Sequence, residues 1–179
     1  MHVRAVIVAA LLWAGFSAHG QVLSSKRGYA DSGGSYAGLQ ATGAGWYYTW
    51  SPDSPGSPGN YNADFYPMMA RSWHATTAQV NNIKRYGQMK YVFGFNEPER
   101  ADQANMTVDA AFAAWRDVIS PGFAGTATQL VSPSVADTGG STGGQAWLSS
   151  FMSQVRGANL KIDAVAFHWY GASTPSNPA

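Results

Sequence analysis

The sequence has no cysteine, and only two glutamates, Glu97 and Glu99, occur among its 179 residues. The absence of cysteine excludes disulfide frameworks, thiolate zinc sites and cysteine nucleophiles. Eleven basic residues face 10 acidic ones without a basic cluster. This balance argues against a nucleic-acid-binding protein, whose affinity comes mainly from neutralising phosphates. An apolar fraction of 45% is too high for a disordered chain.

The first 20 residues resemble a secretory signal peptide in composition. Arg4 precedes an apolar run over 5–16, and small residues occupy positions 18 and 20. The run is shorter than the roughly 20 residues that a membrane-spanning helix needs. We therefore expect cleavage near Gly20 and a secreted or cell-wall location without a membrane anchor. The alternative, an amphipathic N-terminal anchor, lacks a polar face.

Residues 21–179 are enough for one domain, which we expect to be a monomer that needs no cofactor. Secretion would make Asn105, in the tripeptide Asn105-Met106-Thr107, a candidate glycosylation site.

Short stretches of β-branched and aromatic residues alternate with helical patterns, which predicts an α/β fold with a parallel sheet. Apolar residues recur at helical spacing over 80–83, 112–119 and 147–155, and Thr107 can cap the second of these helices. The loops after the strands are longer than those before them, as on the active face of a (β/α) barrel. The predicted strands are Lys26–Ala30, Gly45–Trp50, Asp64–Met69, Lys90–Phe95, Gln129–Ser132 and Ile162–Trp169.

The strongest chemical signal is Asn96-Glu97-Pro98, which directly follows an apolar strand. Pro98 ends the strand because it cannot donate to a ladder, so Glu97 lies where barrel enzymes keep catalytic groups. Burial beside aromatic rings would raise the pKa of Glu97, as a general acid requires. Asn96 can hydrogen-bond a sugar hydroxyl or orient a carboxylate. Equally, Glu97 can cap a helix or pair with Arg100.

Glu99 is two residues further on, and an unbroken strand would point it to the side of Glu97. Because Pro98 bends the chain, we expect Glu99 to face solvent or to form a salt bridge.

Aromatic residues gather at two other predicted strand ends, over 46–50 and 167–170. Aromatic faces stack on pyranose rings, and the edges of Tyr, Trp and His hydrogen-bond hydroxyl groups. The alternative is that alternate rings fill the core. A metal site is poorly supported, since His74 and His168 lack ligand spacing. A serine hydrolase is equally weak without a Gly-x-Ser-x-Gly turn after a strand.

Six segments, in the family's order and over nearly all of residues 21–179, resemble a secreted glycosyl hydrolase catalytic domain. The domain is that of the fungal alkali-sensitive linkage protein and of glycoside hydrolase family 128. The segments are Lys26-Arg27-Gly28-Tyr29-Ala30, Trp46-Tyr47-Tyr48-Thr49-Trp50, Phe65-Tyr66-Pro67-Met68-Met69, Gly94-Phe95-Asn96-Glu97-Pro98, Leu130-Val131-Ser132-Pro133 and His168-Trp169-Tyr170-Gly171.

The resemblance implies a (β/α)₈ TIM-type barrel that hydrolyses cell-wall β-1,3-glucan internally and with retention of configuration. Glu97 would be the general acid/base, and the nucleophile would be a second glutamate after the seventh strand. The residues implied to line the sugar cleft are Asn96, Trp46, Trp50, His168, Trp169 and Tyr170.

The sequence departs from this pattern in having about six of the eight βα units, without the nucleophile glutamate. A retaining enzyme needs two carboxyl groups about 5–5.5 Å apart. We therefore expect residues 21–179 to be a C-terminally incomplete catalytic domain that is inactive by itself. A non-catalytic glucan-binding cell-wall protein and a purely structural wall protein are the alternatives.

Overall fold

The structure is a computed structural model that describes residues 24–31, 36–53, 63–87, 89–136 and 143–169. The predicted signal peptide and Tyr170 lie outside these ranges. Within them, six strands each overlap one of the strands predicted from the sequence, which confirms those predictions. The strands are β1 (Ser24–Ala30), β2 (Ala44–Tyr48), β3 (Asp64–Phe65), β4 (Tyr91–Phe93), β5 (Gln129–Val135) and β6 (Ala164–Phe167).

Helices separate most of the strands, and the three that the apolar spacing predicts are present. Thr107 caps the helix Val108–Ala114 as predicted, since its hydroxyl accepts a hydrogen bond from the Ala110 N–H at 3.2 Å. The sequence did not reveal the helix Tyr36–Thr42, which has a single large aliphatic residue, Leu39. A 3₁₀ turn (Ser72–His74) and a π-helical segment (Trp115–Ile119) complete the described elements. The helices are α1 (Tyr36–Thr42), α2 (Thr77–Arg85), α3 (Val108–Ala114), α4 (Ser120–Gly122) and α5 (Gly144–Gly157).

All strand pairs are parallel, in two three-stranded sheets of order β1-β2-β3 and β4-β5-β6. A bridge between Met68 and Phe93 joins β4 to the segment after β3. The Met69 N–H donates to the Phe93 carbonyl at 2.9 Å, and the Phe93 N–H donates to the Pro67 carbonyl at 2.8 Å. The carboxyl ends of the strands therefore share one edge. The parallel α/β class is as predicted, whereas an eight-unit closed barrel stays a prediction.

The larger core packs β4 and β5 against α2, α3, the π-helical segment and α5. Its fully buried members include Trp115 and Phe151, whose rings meet edge to face with centroids 5.5 Å apart. The Trp115 indole N–H donates to the Lys161 carbonyl at 3.0 Å, so this buried ring leaves no unpaired donor. A smaller core, of which Leu39, Tyr47 and Phe65 are the largest members, lies around β2. Across the described ranges, no helix is both long and apolar enough to cross a bilayer.

Candidate active site

Glu97 lies just beyond β4 and is 5% exposed. Its N–H donates to the Ser134 carbonyl at 2.7 Å, and the Asn96 N–H donates to the Ala70 carbonyl at 3.1 Å. Hydrogen bonds to β5 on one side and to the segment after β3 on the other therefore hold the chain just beyond β4. The Glu97 φ of 41° is in the left-handed region, which a side chain other than glycine rarely adopts. Such strain persists where the surroundings fix the backbone, and it is concentrated at functional sites.

The Glu97 carboxylate has a close partner just after β6 and a more distant one in its own loop. Glu97 Oε1 lies 2.7 Å from His168 Nδ1. Glu97 Oε2 lies 3.4 Å from Nε of Arg100, whose side chain is 43% exposed. The same guanidinium donates two hydrogen bonds of 3.1 Å to Asp102. Pairing with Arg100 therefore occurs, but partial exposure and the competing carboxylate make it weak.

Tyr48, at the end of β2, lies within reach of the Glu97 charge. Burial raises the pKa of the Tyr48 phenol, and the negative charge of Glu97 raises it further. Tyr48 therefore stays protonated and can donate a hydrogen bond at any pH near neutrality.

Asn96 is buried, and both ends of its side-chain amide are engaged. The Trp50 indole N–H donates to Asn96 Oδ1 at 3.2 Å. Asn96 Nδ2 donates to Gln103 Oε1 at 3.0 Å. The structure thus places Asn96 and Trp50, which the sequence singled out separately, in direct contact. Trp50 has a φ of 53°, so Trp50 and Glu97 both have left-handed backbones.

The other predicted aromatic residues have different environments. Trp46 stacks on Tyr66 and Phe93, with ring centroids 5.4 Å and 6.0 Å away. These contacts place Trp46 among the rings that join the two sheets. Trp169, immediately after His168, is 73% exposed. Tyr170 was also predicted here, and it lies outside the described residues.

The prediction that Glu99 faces solvent or forms a salt bridge is wrong for the described residues. Glu99 is half-buried, and its Oε1 accepts a hydrogen bond from the Ala136 N–H at 2.7 Å. Its Oε2 is buried and has no hydrogen-bond partner among the described residues. Glu99 also borders a cavity of about 380 Å³ beside Trp147 on α5, whereas Glu97 contacts His168. The turn that begins at Glu97 separates the two carboxylates.

Sequence reasoning missed Gln103 and Asp102, which the loop after Glu97 folds back towards Asn96. The Gln103 N–H donates to the Arg100 carbonyl, and the Ala104 N–H donates to the Asn96 carbonyl, both at 3.1 Å. A glutamine in a polar loop carries no sequence signal, so only the fold reveals its contact. Within the described ranges, no group of three His, Asp or Glu side chains is arranged to hold a metal ion.

A buried, backbone-strained glutamate therefore lies at the carboxyl end of a parallel strand, where α/β barrel enzymes keep their catalytic groups, with tryptophan and histidine close by. The chain belongs to the glycosyl hydrolase catalytic core family, whose model matches residues 29–177. It is similar in structure to catalytic domains of glycoside hydrolase family 128, which confirms the resemblance seen in the sequence. A search of curated proteins gave no match.

Solved structures support this assignment. The chain is 33% identical to a family 128 subgroup I endo-β-1,3-glucanase from Amycolatopsis mediterranei, in complex with laminaritriose, with a TM-score of 0.64. That match covers 80% of this chain and 56% of the other, so the chain spans little more than half of that enzyme.

Two further structures extend the comparison. A subgroup III curdlan-specific exo-β-1,3-glucanase from Blastomyces gilchristii, in complex with glucose, matches at 30% identity and a TM-score of 0.71, over 87% of this chain and 64% of that one. A subgroup II endo-β-1,3-glucanase from Sorangium cellulosum, at 24% identity and a TM-score of 0.66, covers 79% of this chain and 59% of its own and supports the fold alone.

Proposed function

We propose that the chain is the acid/base-bearing part of a retaining β-1,3-glucanase, a (β/α)₈ enzyme of which it contains about six units. The observation that carries the proposal is the contact of 2.7 Å between Glu97 Oε1 and His168 Nδ1 at the shared carboxyl edge of the strands. The substrate class rests on the laminaritriose in one neighbour and on the curdlan specificity of another. The neighbours include both endo- and exo-acting enzymes. We propose more specifically that this enzyme cleaves internal bonds of the glucan.

Glu97 is suited to work first as an acid and then as a base. In a retaining reaction the acid protonates the leaving glycosidic oxygen, and its carboxylate then takes a proton from the attacking water. An imidazole nitrogen can either donate or accept a hydrogen bond, depending on its tautomer and charge. His168 Nδ1 can therefore accept from the protonated Glu97 and donate to its carboxylate. The same neighbour thus supports both half-reactions.

The sugar would bind against the aromatic residues around Glu97. Trp50 is half-buried and Trp169 exposed, so both have ring surface available for stacking on a pyranose. His168, Asn96, Trp46 and Tyr170 complete the proposed set of sugar-binding residues. Trp46 would act mainly through the rings on which it stacks.

We further propose that the 179-residue chain binds glucan without hydrolysing it. Retention needs a nucleophilic carboxylate about 5–5.5 Å from the acid. Glu99, the other glutamate of the chain, is held instead by the Ala136 N–H. The nucleophile would therefore come from polypeptide outside these residues.

We also propose that the protein is secreted, as a monomer, to the cell wall or the medium after loss of residues 1–20. Asn105 is exposed and would be accessible for glycosylation. Enzymatic deglycosylation of the secreted protein, followed by mass spectrometry, tests whether Asn105 carries a glycan.

A non-catalytic glucan-binding protein is the second candidate. The contact between Glu97 and Arg100 favours it, because a carboxylate between a cation and an imidazole can be a static part of the fold. In that case Glu97 would hold the loop and take no part in chemistry.

Sedimentation with insoluble β-1,3-glucan and a reducing-sugar assay test the proposal together. The chain should bind the glucan, lose binding with Trp50→Ala, retain it with Glu97→Gln and release no sugar. Failure to bind would contradict the glucan assignment. Sugar release that is lost with Glu97→Gln would contradict the proposed inactivity and establish catalysis.

If the transcript continues beyond Ala179, the longer protein should hydrolyse laminarin and lose about 10²–10⁴-fold in rate with Glu97→Gln. An unchanged rate would favour the non-catalytic candidate.

A further inference from the structure

The amide of Asn96 lies in a directed chain of hydrogen bonds. An indole N–H can only donate, so the bond of 3.2 Å from Trp50 Nε1 fixes Oδ1 as the Asn96 atom that faces Trp50. Asn96 Nδ2 must then face the opposite way, towards Gln103 Oε1 at 3.0 Å. This assignment follows from the chemistry of the partner and resolves the usual ambiguity between amide oxygen and nitrogen.

The orientation of Gln103 follows from the same bond. Asn96 Nδ2 can only donate, so the Gln103 atom that faces it must be the acceptor Oε1. The donor Nε2 of Gln103 therefore faces away from Asn96.

The directed chain therefore runs from Trp50 through Asn96 to Gln103, and it begins at an indole N–H, which can only donate. Neither side-chain amide can flip, exchanging its oxygen and nitrogen, without placing two donors or two acceptors face to face. One hydrogen of Asn96 Nδ2 goes to Gln103, and the other has no partner within the described part of the chain. Asn96 is 5% exposed, so that hydrogen has little access to bulk water.

We propose that Gln103 is a positioning residue that, with Trp50, fixes Asn96 so that its free N–H points at the sugar bound beside Glu97. Asn96 then donates to a hydroxyl oxygen of the substrate and does not accept from it. Hydrogen bonds to a sugar hydroxyl near the cleaved bond strengthen in the transition state of glycoside hydrolysis. The role of the N–H rests on the proposed function, whereas the fixed orientation of the amide does not.

A double-mutant cycle with laminarihexaose, measured by calorimetry on the whole chain, tests the ligand-directed part. Gln103→Met keeps the length of the side chain and removes its acceptor, and should weaken binding about 5- to 10-fold. In an Asn96→Ala background the same change should add less than about 2-fold, because its target is gone. Gln154→Met is the matched control, since Gln154 Nε2 donates to Asp109 at 2.8 Å between α5 and α3. It should leave affinity unchanged.

Side-chain amide exchange in the free protein tests the orientation without any ligand. The Asn96 Nδ2 proton that Gln103 accepts should exchange with deuterated water at least about 10-fold faster in Gln103→Met, as seen by NMR. Gln103→Glu retains the acceptor, so that proton should stay protected. This expectation can be tested even if Gln103→Met does not fold. Equal effects of Gln103→Met in both backgrounds, or unchanged exchange, would overturn the proposal. If the parent chain binds no laminarihexaose, the proposed function fails and the exchange measurement alone decides the orientation.

Discussion

The two halves of the parallel sheet differ in how they are packed. Around β1–β3, the described core consists of Leu39, Ala44, Tyr47, Ala63 and Phe65. Around β4–β6, a much larger core packs against β5, in which six of seven residues are buried. The half that carries Glu97 and His168 therefore has the more extensive core. Its exception is the face of β6 formed by Val165 and Phe167, which is exposed.

The site lies where these halves meet. Asn96 and Glu97 follow β4, His168 follows β6, and Trp50 reaches across from the first half to bind Asn96. Trp46 and Phe93 stack across the same boundary. The well-packed half thus fixes the chemical groups, and the lightly packed half supplies aromatic surface. Catalysis needs the first property, and adapting to a polymer benefits from the second.

The largest effect should come from the second-half core. Trp115→Ala removes a ring that is 0% exposed and should lower the free energy of unfolding by about 3–5 kcal/mol in urea denaturation. Tyr47→Ala, at 1% exposure in the smaller core, should cost about 2 kcal/mol because its surroundings can collapse more easily. Trp115→Phe serves as the control that keeps most of the packing. Equal losses for Trp115→Ala and Tyr47→Ala would show that the halves do not differ.

The next effect concerns the loop that follows β4. Glu99→Leu leaves the Ala136 N–H without its acceptor at 2.7 Å and should cost about 1–3 kcal/mol of unfolding free energy. Glu99→Gln keeps an acceptor there, no longer buries an unpaired carboxylate oxygen, and should cost less. If Glu99→Leu were as stable as the parent chain, Glu99 would not fasten this loop.

The matching loop of the first half should be held more weakly. Asp53 Oδ1 accepts hydrogen bonds from Gln79 Nε2 at 3.0 Å and Asn82 Nδ2 at 2.7 Å, all exposed to water. Asp53→Ala should therefore cost about 0.5–1 kcal/mol in the same denaturation assay. A loss larger than that of Glu99→Leu would reverse the order of the two halves.

The smallest effect should be a pH dependence at the boundary. Burial lowers the pKa of His74, with the nearby charge of Arg71 adding to this and that of Asp53 opposing it. Because the unfolded state then binds more protons, this contribution to stability is complete above the ordinary pKa of 6.5 and is lost as the pH falls below it.

His74→Asn keeps an acceptor for the Arg71 N–H, which His74 Nδ1 accepts at 3.3 Å. Between about pH 7.5 and pH 5 the melting temperature of this variant should fall less than that of the parent chain. An identical fall in both proteins would show that His74 does not contribute to the pH dependence of stability.

Much of the fold follows from local patterns, and the site follows only in part. Six strands and three helices are visible in the sequence because alternation, apolar spacing and residues such as Thr107 act locally. The α1 helix is hidden because Leu39 alone gives no period. Glu97 could be predicted because a proline ends its strand. Its contact with His168 joins residues 71 positions apart, which no local pattern contains.

The environment of the Glu99 side chain also depends on the fold. Glu99 was expected at the surface, but the left-handed turn at Glu97 directs it to the Ala136 N–H. The bond between Gln103 and Asn96 has the same origin, since the loop must fold back before the two amides can meet.

An NMR titration of the 179-residue chain with laminarihexaose tests whether the carboxyl edge of the strands binds glucan. We expect saturable chemical-shift changes at Trp50, Asn96 and His168, which share that edge. We expect none at Gly87 and Met89, which precede β4 at the opposite edge. No shifts at any concentration, or shifts confined to the opposite edge, would contradict the assignment of this site to glucan.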